Sequence, residues 1–137
     1  MQILKTETIT VHGSDEVVRV RHLVRKHAVD LGFSLVEQTK IVTAASELAR
    51  NMVDYGGGGN LVLEALEDGA RKGLRLIFAD EGPGIADIEQ ALRDGFTTGN
   101  GMGLGLGGAR RLSNQFEIES RPGKGTRVTI VRWKGVV

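Results

Sequence analysis

Apolar and polar positions change period several times along this chain, and each change marks an element. Residues 3–11, Ile-Leu-Lys-Thr-Glu-Thr-Ile-Thr-Val, alternate and are rich in β-branched types, which predicts a strand at the edge of a sheet. From Ser14 the period lengthens. Val17, Val20, Val24, Ala28 and Leu31 step by three and four, so the spacing predicts a helix, with Ser14 as its N-cap, Asp15 and Glu16 in an acidic first turn, and Gly32 as its end. A second helix opens with Ser34-Leu-Val-Glu37, the S-x-x-E capping box, and turns Ile41, Ala44, Ala45, Leu48 and Met52 inward. It stops at Tyr55 before four glycines, Gly56 to Gly59.

Period two returns at residues 61–67 and 74–80, two apolar runs joined by Asp68-Gly-Ala-Arg-Lys-Gly73, which reads as a hairpin with a rather long turn. The second run is the most apolar and is expected at the centre of the sheet. It ends in the sharp turn Asp80-Glu-Gly-Pro-Gly84. Ile88, Ala91 and Leu92 allow a short helix, residues 104–113 a third longer one, and residues 116–120 and 126–133 two strands around the turn Pro122-Gly-Lys-Gly125. Strand, helix, helix, hairpin, helix, hairpin is the order of an α+β fold: a two-layer sandwich with a mixed, mainly antiparallel sheet and helices on one face. No internal repeat or linker divides residues 1–137, which read as a single domain.

Composition narrows the chemistry. The net charge is +1, which gives no bulk pull toward nucleic acid or a membrane, and six aromatic residues are too few for a base-stacking surface. Cysteine is absent, so disulfides and thiolate metal sites are excluded, in keeping with a reducing cytoplasm. No run approaches the roughly 18 apolar residues of a membrane span. Arg19, Arg21, Arg25 and Lys26 decorate the first helix as a solvated face or a docking surface. Glycine, at 20 of 137 residues, is about twice its usual share of ~7% and is clustered. Between Asp94 and Gly108 it fills seven of fifteen positions. Such a run packs no core, but its backbone N–H groups can approach an anion closely, as at a phosphate-binding loop.

Three motifs carry the candidate chemistry. Gly103-Leu-Gly-Leu-Gly-Gly108 matches the dinucleotide pattern G-x-G-x-x-G, yet a polar loop precedes it and no acidic residue lies beyond Glu119. A Walker-type P-loop and the eukaryotic protein kinase set, with its H-R-D and D-F-G, are absent. Glu47 and Asn51 are four apart on the second helix, so they share a face and can reach one ligand. Beside a triphosphate, a carboxylate with a carboxamide suits a general base and a neutral Mg²⁺ ligand; in isolation the same spacing describes an ordinary solvent-facing pair. Asp80, ending a strand before Glu-Gly-Pro-Gly84, can accept a hydrogen bond from an adenine amine, or can belong to a plain turn.

In their order and spacing, Glu47-x-x-x-Asn51, Asp80-x-Gly82-x-Gly84, the glycine run opening a helix, and Gly123-x-Gly125-Thr126 resemble the GHKL ATPase superfamily. The likeness runs from about Ser34 to Trp133. It implies an α/β sandwich holding ATP under a mobile lid, Glu47 as catalytic base, and Asn51 as the Mg²⁺ ligand. It also implies Asp80 as the adenine contact with Gly82, Gly84 and Thr126 around it, and Gly99, Gly101, Met102, Gly103, Leu104 and Gly105 along the phosphates. Residues 95–100 would be the part that moves. Residues 43–51 and 101–112 look most like the RsbT-type anti-sigma-factor regulatory serine/threonine kinases of stressosome and partner-switching pathways. That resemblance implies phosphorylation of a serine or threonine on a STAS-domain protein, and release to a phosphatase or sigma factor. The alternative is a nucleotide-gated module that binds a regulator or sigma factor with little catalysis. The chain departs from sporulation-type relatives in carrying Thr98-Gly99-Asn100 where they place a lid arginine. A cation at the transferring phosphate would then come from Arg50, Arg110, Arg111 or the partner.

Overall fold

In the computed structural model, which describes residues 1–93 and 106–135, the alternation of the first residues produces β1 (Gln2–Val11). α1 (Ser14–Asp30) follows with Val17, Val20, Val24 and Ala28 buried. Its cap differs from the expected one. Gly13, with extended backbone and no side-chain cap, stands at the N-cap, and Ser14 already lies in the first turn. The Glu16 carboxylate reaches back past the cap and accepts the His12 N–H at 3.1 Å. Glycine is tolerated at a helix cap, and the acidic first turn of Asp15 and Glu16 complements the positive end of the helix. His27 is buried on the same helix, its Nε2 2.8 Å from Glu7 Oε1 of β1, so this pair ties helix to edge strand.

α2 (Leu35–Gly56) opens with the predicted capping box. The Ser34 hydroxyl accepts the Glu37 N–H at 3.2 Å, and the Glu37 carboxylate accepts the Ser34 N–H at 2.8 Å. Ile41, Ala44, Ala45, Leu48 and Met52 are buried as their spacing predicts. Gly57, at φ 74°, ends the helix in the left-handed conformation that glycine adopts without strain. Glu37 also accepts the Gly135 N–H, linking the start of α2 to the chain beyond the last strand. Burial pushes the Glu37 carboxyl up; the Ser34 and Gly135 N–H groups, the Ser34 hydroxyl and the Arg132 charge outweigh it and hold the group below its ordinary value.

β2 (Gly59–Asp68) and β3 (Arg71–Asp80) form a tighter hairpin than the sequence suggests. Asp68 pairs with Arg71, leaving only Gly69 and Ala70 in the turn, with Gly69 at φ 63°. A positive φ at the first of two turn residues lets the strands keep their twist while pairing to their ends. α3 (Ile88–Ala91), capped by Asp87, and α4 (Leu106–Arg111) are short. β4 (Gln115–Ser120) and β5 (Thr126–Trp133) complete the described elements.

Among the described residues the sheet has five strands in the order β1-β2-β3-β5-β4, and each of the four pairings is antiparallel. β3 occupies the centre and β1 an edge, as their patterns predict. α1, α2 and α4 cover one face, over a core that includes Leu61, Leu63, Leu74, Leu76, Phe78, Val128 and Ile130. A smaller cluster of Leu66, Val131 and Trp133 lies apart, with the Arg71 guanidinium 4.2 Å from the Trp133 ring centroid. No helix of the described residues is long and apolar enough to cross a membrane.

Candidate functional site

Strand register brings the sequence motifs together. In the β3–β5 ladder Asp80 pairs with Thr126, so the last residue of one strand and the first of the next lie side by side. The turn that follows β3 and the turn that precedes β5 pack on each other at backbone distance. A Cβ on Gly84 would fall 1.9 Å from the Arg121 carbonyl oxygen, and one on Gly125 would fall 2.1 Å from the Asp80 oxygen; both glycines sit at φ +77°. Any other residue would be strained at these angles and would collide with main chain. The Gly123 N–H donates to the Pro83 carbonyl at 2.7 Å, and the Ile85 N–H donates to Ser120 Oγ at 2.8 Å. The 80–84 turn is therefore clasped by the β4–β5 turn.

The end of α2 closes on the same aspartate. A Cβ on Gly56 would stand 2.4 Å from Asp80 Cγ, and one on Gly82 would stand 2.5 Å from the Gly56 Cα. Asp80 Oδ1 accepts the Gly82 N–H at 2.9 Å, which orients the carboxylate from within its own turn. Gly82 thus acts on Asp80 from behind.

These contacts surround a cavity of about 320 Å³, within the usual range for a small-molecule site. Asn51, Tyr55 and Gly56 of α2 form one wall. Asp80 and Thr126 are the polar groups at the sheet end, and Pro83, Gly84, Ile85 and Ala86 form the facing wall, continued by Asp87, Gln90 and Ala91. The carboxamide oxygen of Asn51 is buried and has no hydrogen-bond partner among the described residues. A buried carbonyl-type oxygen without a donor costs about 1–3 kcal/mol, so it calls for an absent ligand or cation. Glu47, one helical turn earlier on α2, is exposed and does not line the cavity.

Of the residues singled out in the sequence, Asn51, Asp80, Gly84 and Thr126 meet in this cavity, Gly82 supports it, and Glu47 stands outside it on the same helix. Gly99, Gly101, Met102, Gly103, Leu104 and Gly105 lie outside the described residues, as does the loop 95–100. Arg50, Arg110 and Arg111 are exposed. Sequence reasoning missed Tyr55, Gly56 and Ile85, and it missed Ser120 behind the wall. Gly56 carried a signal, since it opens a glycine cluster where a helix ends, but a stop signal does not say what the glycine must avoid. Ser120 carried none.

Residues 36–135 match the family described as histidine kinase-, DNA gyrase B- and HSP90-like ATPase. The chain is similar to the serine/threonine-protein kinase RsbT of Bacillus subtilis (strain 168), at 44% identity over 118 residues, covering 86% of this chain and 89% of that protein. It is also similar to the anti-sigma F factor of Thermoanaerobacter sp. (strain X514), at 33% identity, covering 84% and 83%. Among solved structures, the RsbU and RsbW domains of a Mycobacterium tuberculosis protein align with a TM-score of 0.66 at 22% identity. That alignment covers 97% of this chain and 34% of the other, so the chain spans about a third of that protein, and the likeness bears on fold.

Proposed function

The chain belongs to the family of histidine kinase-, DNA gyrase B- and HSP90-like ATPases, and we propose that it works as a Mg-ATP-dependent protein serine/threonine kinase of a bacterial partner-switching pathway. The observation that carries this reading is the cavity with an acceptor pair at its sheet end and an orphaned Asn51 oxygen in its wall, one helical turn from Glu47. The base would lie between α2 and residues 83–86, with its exocyclic amine on Asp80 and Thr126, and Gly82 and Gly84 keeping the aspartate and the turn in place. Gly99, Gly101, Met102, Gly103, Leu104 and Gly105 would follow the phosphates.

The Asn51 oxygen fits Mg²⁺, which favours hard neutral and anionic oxygens and keeps most of its other ligands from phosphate and water. Among the described residues no three His, Cys, Asp or Glu side chains cluster to hold a metal, in keeping with an ion brought in on the nucleotide. When bound, the ion would neutralise charge on the phosphate oxygens. Glu47 would take the proton of the acceptor hydroxyl while that oxygen bonds to the γ-phosphorus and the bond to the ADP oxygen breaks. Its exposure suits this work, because a base serving a hydroxyl on another protein has to be reachable from outside. Positioning would supply most of the rate, which fits a slow switch.

The partner we infer is a small STAS-domain protein bearing the acceptor serine or threonine, with a phosphatase or sigma factor bound in turn, all in the cytoplasm. One core runs from β1 through β5, which supports reading residues 1–137 as one kinase domain. The likeness to an anti-sigma F factor favours a second reading, a nucleotide-gated module that binds its regulator with little catalysis.

Mixing the protein with Mg-ATP and a STAS-domain partner separates the two. Phosphoserine or phosphothreonine by mass spectrometry supports the kinase, and a Glu47→Gln variant is expected to lose about 10²- to 10⁴-fold in transfer while keeping its ADP affinity. A stable complex with no phosphoprotein would favour the binding module. Transfer by Glu47→Gln at the parental rate would remove the base from the mechanism.

A further inference from the structure

We propose that Ser120, which does not line the cavity, decides which nucleobase the site accepts by dictating the direction of the Thr126 hydroxyl proton. This rests on the nucleotide reading above and adds the residue that sets its selectivity. Ser120 Oγ has three neighbours: the Ile85 N–H at 2.8 Å, the Gly125 carbonyl oxygen at 3.0 Å and Thr126 Oγ1 at 2.8 Å. A hydroxyl carries one proton and two lone pairs. The Ile85 N–H can only donate and the Gly125 carbonyl can only accept. Ser120 therefore sends its proton to Gly125 and uses one lone pair on Ile85. Its remaining lone pair faces Thr126, and the bond at 2.8 Å forms only with Thr126 as donor.

The consequence lies inside the cavity. Thr126, having turned its proton toward Ser120, shows the cavity lone pairs alone. Asp80, its partner across the β3–β5 ladder, is a carboxylate with acceptor oxygens only, one of them already taken by the Gly82 N–H. The sheet end of the cavity thus presents two acceptors side by side. A base with an amine there, as in adenine, satisfies them. A base with a carbonyl there, as in hypoxanthine or guanine, sets acceptor against acceptor and leaves buried oxygens unpaired. Freed from Ser120, the Thr126 hydroxyl could swing its proton into the cavity and accommodate that carbonyl. Ser120 is in this sense a positioning residue: it would touch neither base nor phosphate, and it acts through Thr126.

The experiment measures the affinities of ADP and IDP, which differ at the 6-position, by calorimetry with Mg²⁺ on the full chain. The parent should prefer ADP. Ser120→Ala should narrow the ADP/IDP ratio by roughly five- to tenfold, the worth of one hydrogen bond. In a Thr126→Val background, which has no hydroxyl to direct, Ser120→Ala should move the ratio less than about twofold. Should Ser120→Ala fold poorly, Ser120→Cys, which packs similarly but hydrogen-bonds weakly, should narrow the ratio in its place. A Ser120 variant that weakens ADP and IDP equally, or an effect on the ratio that persists unchanged with Thr126→Val, would show a merely structural role and overturn the inference. So would a parent that binds both nucleotides alike. A parent that binds neither nucleotide would instead overturn the nucleotide reading.

Discussion

The two walls of the cavity meet the same solvent and are built in opposite ways. On the side of the 80–84 turn, the Gly82, Ile85 and Gly123 N–H groups each have an acceptor, and the main chain of one turn touches the main chain of the next through Gly84 and Gly125. On the α2 side, the Asn51 oxygen is buried without a partner among the described residues, and the Glu47 side chain is exposed. The first wall has its main chain fixed without ligand. The second wall is held rigidly by a long, well-capped helix but leaves the Asn51 oxygen without a donor among the described residues. Recognition of a flat base needs a fixed shape, because binding energy is lost if the wall must first be ordered. Charge transfer needs groups whose hydrogen-bonding capacity is still free when the phosphates arrive. A helix serves the second need, since its backbone is satisfied internally and its side chains are left to the ligand.

Substitutions on the two walls should therefore behave differently. The largest effect is expected at Gly84. An added methyl would be strained at φ +77° and would meet the Arg121 carbonyl, so Gly84→Ala should lose on the order of 3 kcal/mol in denaturant unfolding and most of its ADP affinity. A loss below about 0.5 kcal/mol would mean that this wall yields easily, and the contrast drawn here would fail.

Asn51→Leu probes the other wall with a side chain of similar shape. Removing an orphaned oxygen relieves a cost, so stability without ligand should change by less than about 1 kcal/mol or rise. The same variant should lose the part of ADP affinity that depends on Mg²⁺, seen by titrating with and without the ion. If Mg²⁺ tightens ADP binding as much as in the parent, Asn51 is not its ligand.

The smallest effect concerns how α2 is held. The Glu37 carboxyl lies below its usual range in the folded chain, so its contribution is complete above the pKa of the unfolded residue and disappears as pH falls through the folded value. Glu37→Gln should cost at most about 1 kcal/mol at neutral pH, given the partial exposure of the group. It should also flatten the decline of Tm between about pH 5 and pH 3 relative to the parent. A variant whose acid melting curve runs parallel to the parent's would place the linkage elsewhere.

Much of the fold was legible because its causes are local. The α1 and α2 stripes and the Ser34–Glu37 box depend on residues three or four apart, and the strand periods on residues two apart. The same local reading erred where an alternative lay close at hand, as when Gly13 took the cap position expected of Ser14, or when the hairpin turned on Gly69 and Ala70 alone. At the site, the sequence placed Asn51, Asp80, Gly84 and Thr126 through the order of their motifs. It could not show that a helix end presses on Asp80 through Gly56, because twenty-four positions separate those residues in the chain and only the packed α2–β3 contact brings them together.

By itself, then, the sequence determined the elements, the capping box of α2, the apolar faces that must meet, and the family whose motif order it carries. These follow from backbone propensity and side-chain periodicity, which act over a few residues. The tertiary structure alone decided the strand register that sets Asp80 beside Thr126, the main-chain contacts that admit only glycine at positions 84 and 125, and the meeting of Ser120 with Ile85, Gly125 and Thr126. Each requires atoms distant in the chain to approach within about 3 Å, a distance set by how the whole sheet and its helices pack.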